Sequence, residues 1–208
     1  MTIRLSYVTA LLFGSGLCAL IYQVAWMKQL ALIFGASTAA SAAVLAIFMG
    51  GLGLGGVLIG KRADRHQRPL VLYAQLEMSI ALAAAVSPFL IMGARALYIS
   101  LGGSVVLGLT GATLVRLLLS AIIIGIPAVL MGGTLPAAAR AAETEDDIGR
   151  NRIAVLYGIN TLGAVTGALL STFVLLESQG IKLTLWLACL INSAVALIAW
   201  WLGDKAAP

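Results

Sequence analysis

Five polar side chains interrupt long apolar segments of the sequence, and they are its strongest candidates for chemistry. Two are charged, Glu77 and Arg116, and three are neutral, Gln23, Tyr157 and Asn160. A charge at the centre of a bilayer costs roughly 2.5–3.5 kcal/mol on insertion scales, so such residues usually pair or line water. One interpretation is that these residues line a path for a solute or a proton. The structural alternative is that Glu77 anchors a turn, Arg116 extends to the membrane surface and the neutral groups bond to neighbouring helices.

The other polar groups do not form a recognisable catalytic or metal site. The single histidine, His66, has no serine, cysteine or aspartate arrangement around it that would support nucleophilic catalysis. The acidic run 143–147 has no histidine and no regular ligand spacing, so it is expected to be a solvated connector. Cys18 and Cys189 both fall in apolar segments, which implies no disulfide framework. We therefore predict no catalytic residue, no metal and no cofactor for this chain alone.

The composition is typical of an integral membrane protein. Hydrophobic residues make up 61% of the 208 residues and charged residues 10%, against about 45–50% and about 25% in a soluble domain. Most of the chain is therefore expected to lie in lipid, as one helical domain over residues 1–208. The formal net charge is +5. Because the basic residues gather beside the ends of apolar segments, they indicate membrane orientation and not nucleic-acid binding.

The apolar segments predict an all-α fold with six transmembrane helices, since each crossing needs about 20 residues. A break near residue 35, with Ser37 as an N-cap, separates the first two helices, and Pro69 begins the third. The connection 95–110 is predicted to be interfacial or re-entrant, and Pro127 is predicted to kink the fourth helix. The predicted spans are about 5–27, 37–60, 69–94, 111–135, 153–176 and 183–202.

Six crossings divide the basic residues unequally between the two sides of the membrane. The richer side holds the turn 61–68, so the positive-inside rule predicts that this turn and both termini are cytoplasmic, in what we expect to be a bacterial inner membrane. Arg140 or a residue of this turn is then the expected partner of Glu77, and Trp26 and Trp186 are expected at the outer interface. The basic turn is also a predicted contact for anionic lipid headgroups, at about 1 kcal/mol per basic residue.

Glycine spacing predicts where helices approach one another closely. Gly51, Gly55 and Gly56 lie in the second predicted helix, and Gly163 and Gly167 lie in the fifth. Membrane helices gain little from burying leucine against leucine, so close backbone approach through small residues is a main source of association. One interpretation is tight packing within the chain. The alternative is that one of these faces is a dimer interface or a sliding surface.

The turn between the second and third predicted helices resembles a signature of major facilitator transporters. Gly60, Asp64, Arg65 and Arg68 match a pattern of glycine, three residues and then Asp-Arg-x-Gly-Arg, whereas Gln67 stands where the family usually has glycine. In that family the signature is cytoplasmic and braces helices during gating. The resemblance implies a bundle similar to one half of such a transporter.

Three longer segments, 15–26, 131–136 and 156–168, resemble the membrane portion of spermidine-synthase-like integral membrane proteins. These proteins are described as a facilitator-like bundle fused to an aminopropyltransferase-like domain. That domain would follow the last helix, and the chain ends at Pro208, so the resemblance implies the membrane portion without the synthase domain.

This resemblance implies a module that anchors a polyamine-synthase-like protein, or that binds or moves a small solute such as a cation. The implied partners are a soluble synthase-like domain or a second copy of the chain. Two alternatives remain open: a half-sized secondary transporter that acts as a homodimer, and a helix-packing membrane subunit without a solute.

Overall fold

The computed structural model describes residues 5–34, 38–143 and 151–205, which are helical apart from short turns. The predicted all-α class is therefore confirmed for this part of the chain. A π-helical segment, Ser171–Leu175, joins the last two helices. The helices are α1 (Leu5–Phe34), α2 (Thr38–Asp64), α3 (Pro69–Ser100), α4 (Gly103–Gly132), α5 (Thr134–Ala142), α6 (Asn151–Leu170) and α7 (Leu176–Lys205).

Five helical stretches in the described residues are long and apolar enough to cross a membrane, where the sequence predicted six. They are Leu5–Ala31, Ser41–Asp64, Pro69–Ser100, Gly103–Ala142 and Asn151–Lys205. The difference arises in the last stretch, because its 55 residues combine the last two predicted spans into one helical run. A straight helix of that length would extend about 80 Å, which far exceeds a hydrocarbon core of about 30 Å.

Helix α1 lies between α6 and α7 and fixes the direction of both. Helix α6 runs parallel to α1. Gly163 lies against the backbone of Phe13 and Gly167 against the backbone of Leu17, so the contacts advance in the same direction along both helices. A Cβ atom at either glycine would overlap the carbonyl oxygen of the residue that it faces. Both glycines are buried, so this contact is made within the chain.

Helix α7 runs in the opposite direction. Gly14 packs against Val195, whereas Cys18, one turn later in α1, donates its thiol proton to the carbonyl oxygen of Ala188 at 3.5 Å. The chain therefore reverses between α6 and α7. Gly180 has φ 74° and ψ 173°, a backbone conformation that favours glycine, and it marks the break inside the continuous helical run.

Helices α2 and α4 make a second parallel pair through small residues. Gly51 lies against Ala128, and a Cβ atom at Gly55 would overlap the backbone of Val129. A Cβ atom at Gly56 would lie 3.6 Å from the nearest backbone oxygen of α4, which is an ordinary van der Waals distance. The close approach at Gly51 and Gly55 is again within the chain.

The connection between α3 and α4 is shorter than the sequence predicted. The segment predicted to be an interfacial connection begins as helix, since α3 continues to Ser100 and α4 begins at Gly103. Inside α4 the backbone leaves helical dihedral angles at Gly108, with φ 66° and ψ 178°, and Pro127 lies further along the same helix. An interior proline removes a backbone hydrogen bond and bends a helix, so the kink at Pro127 stays a prediction. The predicted N-cap Ser37 lies outside the described residues, and α2 begins at Thr38.

Candidate functional site: a buried acid between three helices

Glu77 lies on the face of α3 that is buried against α1 and α7, and only 1% of its surface is exposed. Pro69 at the first position of α3 sets the start of the helix. From there the buried side chains Tyr73, Glu77, Ala81 and Ala84 follow at intervals of three or four residues, which places them on one side of the helix. Glu77 therefore lies on the buried face of α3, in line with these apolar and aromatic residues.

Side chains from three helices surround the Glu77 carboxyl group. Ser15 of α1 donates its hydroxyl proton to Oε1 of Glu77 at 2.5 Å. Asn192 of α7 donates from Nδ2 to the backbone oxygen of Glu77 at 2.9 Å. The hydroxyl group of Tyr73 donates to the carbonyl oxygen of Leu11 at 3.1 Å and lies within hydrogen-bonding reach of the carboxyl group. The acid is thus held by neutral polar groups.

No basic side chain of the described residues forms an ion pair with Glu77. The ion pair that these residues contain joins Arg140 to Glu143 at the end of α5. The predicted pairing of Glu77 with Arg140 or with a residue of the basic turn is therefore wrong. Glu77 faces α1 and α7, whereas the basic side chains of the turn, such as Arg65, are exposed.

Buried polar side chains continue along α1 beyond the acid. Tyr22 stacks on Trp26 with ring centroids 5.6 Å apart, and the Tyr22 hydroxyl group is buried within hydrogen-bonding reach of the Cys189 thiol. The indole nitrogen of Trp26 donates to Ser87 Oγ of α3 at 2.7 Å. Trp26 is fully buried, so its ring does not face lipid as the ring of an aromatic belt would, and its place at the depth of the outer interface stays a prediction. Ser15, Cys18, Tyr22 and Trp26 form a polar row on the buried side of α1.

Sequence reasoning identified Glu77 but missed the residues that hold it. Tyr73 lies one turn before Glu77 in α3, and this spacing of four residues could have placed both on one face. Asn192 interrupts an apolar segment just as Asn160 does, and it is buried. Ser15 carries no signal of its own in the sequence, because small hydroxyl residues are common on packed membrane helices.

Arg116 lies at the opposite end of the bundle from the acid. Its Nη2 donates to the Tyr98 hydroxyl group at 2.6 Å, and its guanidinium carbon lies 4.8 Å from the centroid of the Tyr98 ring. Tyr98 is near the end of α3, so Arg116 is about 30 Å along the helix from Glu77 at 1.5 Å per residue. The structure therefore separates the two charged candidates.

The three neutral candidates also lie apart from the acid. Gln23 is half-buried on α1, and Tyr157 on α6 is 61% exposed. Asn160 packs against α1, where its backbone oxygen would overlap a Cβ atom at Gly16. Among the described residues, the side-chain hydrogen bonds of Glu77 come from other positions, so the path proposed from these five residues is not one contiguous group.

The basic turn forms a shallow cavity on the surface of the bundle. Gly60 approaches Pro136 of α5, where an added Cβ atom would lie 3.7 Å from the proline ring. The signature residues Asp64, Arg65 and Arg68 are exposed, and the backbone nitrogen of Arg68 donates to Nδ1 of His66 at 3.1 Å. The cavity has a volume of about 470 Å³ and is lined by Leu58, Lys61, Arg62, Arg65 and His66.

Comparison with known proteins does not identify a function for this site. No protein-family model matches the chain, and no curated protein and no solved structure matches it significantly.

Proposed function

We propose that the chain is the membrane module of a polyamine-synthase-like protein and that it binds a small cationic solute at Glu77. The supporting observation is a carboxyl group that is 1% exposed and has no basic partner among the described residues. An isolated carboxylate in an apolar interior is strongly unfavourable, so the site favours a positively charged ligand. The segment 15–26, which carries part of the resemblance to spermidine-synthase-like proteins, supplies Ser15 to this carboxyl group.

The helix pairing supports a bundle of six crossings similar to one half of a facilitator transporter. The principal pairs are α1 with α6, α2 with α4, and α3 with α7. Exchanging α1 with α4, α2 with α6 and α3 with α7 leaves this pattern unchanged, as expected for two inverted three-helix repeats. The reversal of direction between α6 and α7 supports a sixth crossing within the stretch 151–205.

Replacing Glu77 with glutamine is expected to abolish cation binding. Glutamine keeps the size of the side chain but removes the charge, so affinity for spermidine should fall at least tenfold in this reading, equivalent to about 1.4 kcal/mol. The measurement is equilibrium binding of radiolabelled spermidine to the protein in nanodiscs.

The matched control for this experiment is Glu177→Gln in the first turn of α7, because Glu177 is exposed and distant from the buried site. This variant should bind spermidine like the parent protein. Retained binding in Glu77→Gln, or an equal loss in both variants, would contradict a cation site at Glu77.

The proposed orientation places the basic turn in the cytoplasm. A cysteine introduced by Arg65→Cys, in a background without Cys18 and Cys189, should react with a membrane-impermeant maleimide in inverted vesicles and not in intact cells. Lys182→Cys, an exposed position beside Gly180, should show the opposite pattern. Labelling of Arg65→Cys from outside the cell would overturn the orientation and the facilitator-like fold with it.

A second candidate function is a half-sized transporter whose solute path lies between two copies of the chain. Tyr157 is 61% exposed and Thr161 one turn later is also exposed, so α6 carries polar groups on its outer surface. In a homodimer these groups would face the second copy across an axis normal to the membrane. Single-molecule photobleaching of labelled protein in nanodiscs tests this alternative. The homodimer predicts two bleaching steps per disc, whereas a single step would contradict it.

The third candidate, a packing subunit without a solute, is favoured by the hydrogen bonds that the protein itself makes to Glu77. Ser15 and Asn192 both donate to this residue, so a ligand would have to replace or extend an existing network. Absence of spermidine binding in both the parent protein and Glu77→Gln would favour this function.

A further inference from the structure

We propose that Glu77 carries a proton when its site is empty and that an incoming cation displaces this proton, so that the site exchanges one for the other. This inference rests on the cation site proposed at Glu77, and it names the ligand that occupies the carboxyl group between binding events.

Among the residues that the structure describes, the groups around Glu77 are neutral and cannot balance a negative charge. The ionisable side chains within electrostatic reach of the carboxyl group are Cys18 and Tyr22 of α1 and Tyr73 of α3, with Cys189 of α7 close to Cys18 and Tyr22. All four are acids that are neutral when protonated, and none can become positively charged. A buried carboxylate in such surroundings becomes neutral by taking up a proton or by binding a cation.

An unpaired acceptor on α7 supports the protonated form. Asn192 is 1% exposed, its Nδ2 donates to the backbone oxygen of Glu77, and its Oδ1 is buried without a hydrogen-bond partner. Asn192 also lies within hydrogen-bonding reach of the Glu77 carboxyl group. An ionised carboxylate only accepts hydrogen bonds, whereas a carboxylic acid also donates one. Protonation of Glu77 therefore supplies the type of donor that Asn192 Oδ1 lacks.

The same atoms can hold a cation once the proton has left. Glu77 then contributes a carboxylate oxygen, Ser15 a hydroxyl oxygen and Asn192 the free Oδ1, which are suitable ligands for a hard metal cation or acceptors for an ammonium group. In the exchange, the O–H bond of the carboxylic acid breaks and its proton passes to water. One positive charge, either a monovalent metal ion or a single ammonium group of a polyamine, takes the place of the proton beside the carboxylate, so this position stays neutral overall.

The first test uses the parent protein in nanodiscs and a hydrophobic carbodiimide, which reacts with protonated carboxyl groups in membranes. Peptide mass mapping should locate the adduct on Glu77, and labelling should fall as the pH is raised. Addition of spermidine should reduce labelling at constant pH, while sodium chloride in a separate arm reports whether a hard metal cation also competes. Glu177 is the internal control, because its carboxyl group is exposed and a reagent that partitions into the apolar interior should leave it unlabelled.

The second test is infrared difference spectroscopy, which detects the C=O stretch of a protonated carboxyl group. The band should be present in the parent protein, should be absent in Glu77→Gln, and should decrease when spermidine is added, with release of about one proton per bound cation in a weakly buffered sample. Asn192→Leu should shift the band, since it removes the acceptor of the Glu77 proton. Because labelling needs no variant, the proposal can be tested even where Glu77→Gln fails to fold.

The outcomes separate this inference from the proposed function. Spermidine binding that depends on Glu77, without carbodiimide labelling and without a protonated band, would overturn the exchange and leave the cation site in place. Labelling that spermidine and sodium both leave unchanged would also overturn the exchange, because Glu77 would then be a permanently protonated structural acid. Labelling that falls with either cation supports it.

Discussion

Substitution of Gly163 by alanine is expected to destabilise the bundle strongly, because the added methyl group would force α1 and α6 apart. A Cβ atom at this position would overlap the backbone carbonyl of Phe13, which cannot move aside like the end of a flexible side chain. Helices α1 and α6 would have to separate along their parallel contact, which also includes Gly167. Overpacking of this kind costs about 1–3 kcal/mol and occasionally more, and we expect the upper end of that range.

Gly158 provides the matched control on the same helix. A Cβ atom there would meet nothing within 4 Å, and alanine is the better helix former by about 1 kcal/mol, so Gly158→Ala should be neutral or slightly stabilising. The measurement is the free energy of unfolding in detergent, followed by circular dichroism. A loss of dimer with unchanged stability in Gly163→Ala would instead identify this face as an interface between copies, and equal stability of both variants would contradict the packing at Gly163.

The glycine contacts illustrate which parts of the fold the sequence could predict. Gly51, Gly55, Gly163 and Gly167 were recognisable because an interval of four residues places small side chains on one helical face. Their partners were not, since a glycine pattern does not reveal which helix approaches it. Pro69 likewise predicted the start of α3. A proline is favoured in the first turn because its φ is already helical and the N–H group that it lacks would have no partner there.

The exact position of a helix break was harder to predict than its approximate region. Inside α4 the backbone leaves helical dihedral angles at Gly108, which lies within the predicted connection 95–110. A similar positive φ occurs at Gly180, where the chain turns from α6 to α7. Four of the described glycines, Gly102, Gly103, Gly108 and Gly180, have a positive φ, and all four fall in gaps between the predicted spans. Many other glycines lie inside regular helix, so the exact positions of the breaks depend on tertiary packing.

The candidate site was partly predictable for a related reason. A charge in an apolar segment is conspicuous, so Glu77 was identified at once, although its predicted basic partner was wrong. Its neighbours are Ser15 and Asn192, which are 62 and 115 residues away in the chain. No local pattern connects positions so distant. Neutral hydrogen-bonding residues are also harder to recognise in a sequence than a residue of opposite charge, although they can supply hydrogen bonds to a buried carboxyl group.

Replacement of Trp26 by alanine is expected to be the most destabilising side-chain truncation in the chain. The indole ring is fully buried, stacks on Tyr22 and donates a hydrogen bond of 2.7 Å to Ser87, so it joins α1 to α3. Removing a buried tryptophan leaves a large cavity and costs about 3–5 kcal/mol. The unfolding free energy in detergent should fall by that amount, and thermal unfolding should occur at a clearly lower temperature.

Two further variants separate the contributions of the Trp26 ring and its hydrogen bond. Ser87→Ala removes the acceptor but keeps the ring, so the loss should be about 1–3 kcal/mol, the penalty for a buried unpaired donor. Trp186→Ala removes an indole that is 41% exposed, so its effect should be far smaller than that of Trp26→Ala. If truncation at positions 26 and 186 destabilised the protein equally, Trp26 would belong to the aromatic belt that the sequence predicted and not to the packed row on α1. The polar row that leads from Ser15 to Trp26 would then lose its place inside the bundle, and with it the structural basis for a site at Glu77.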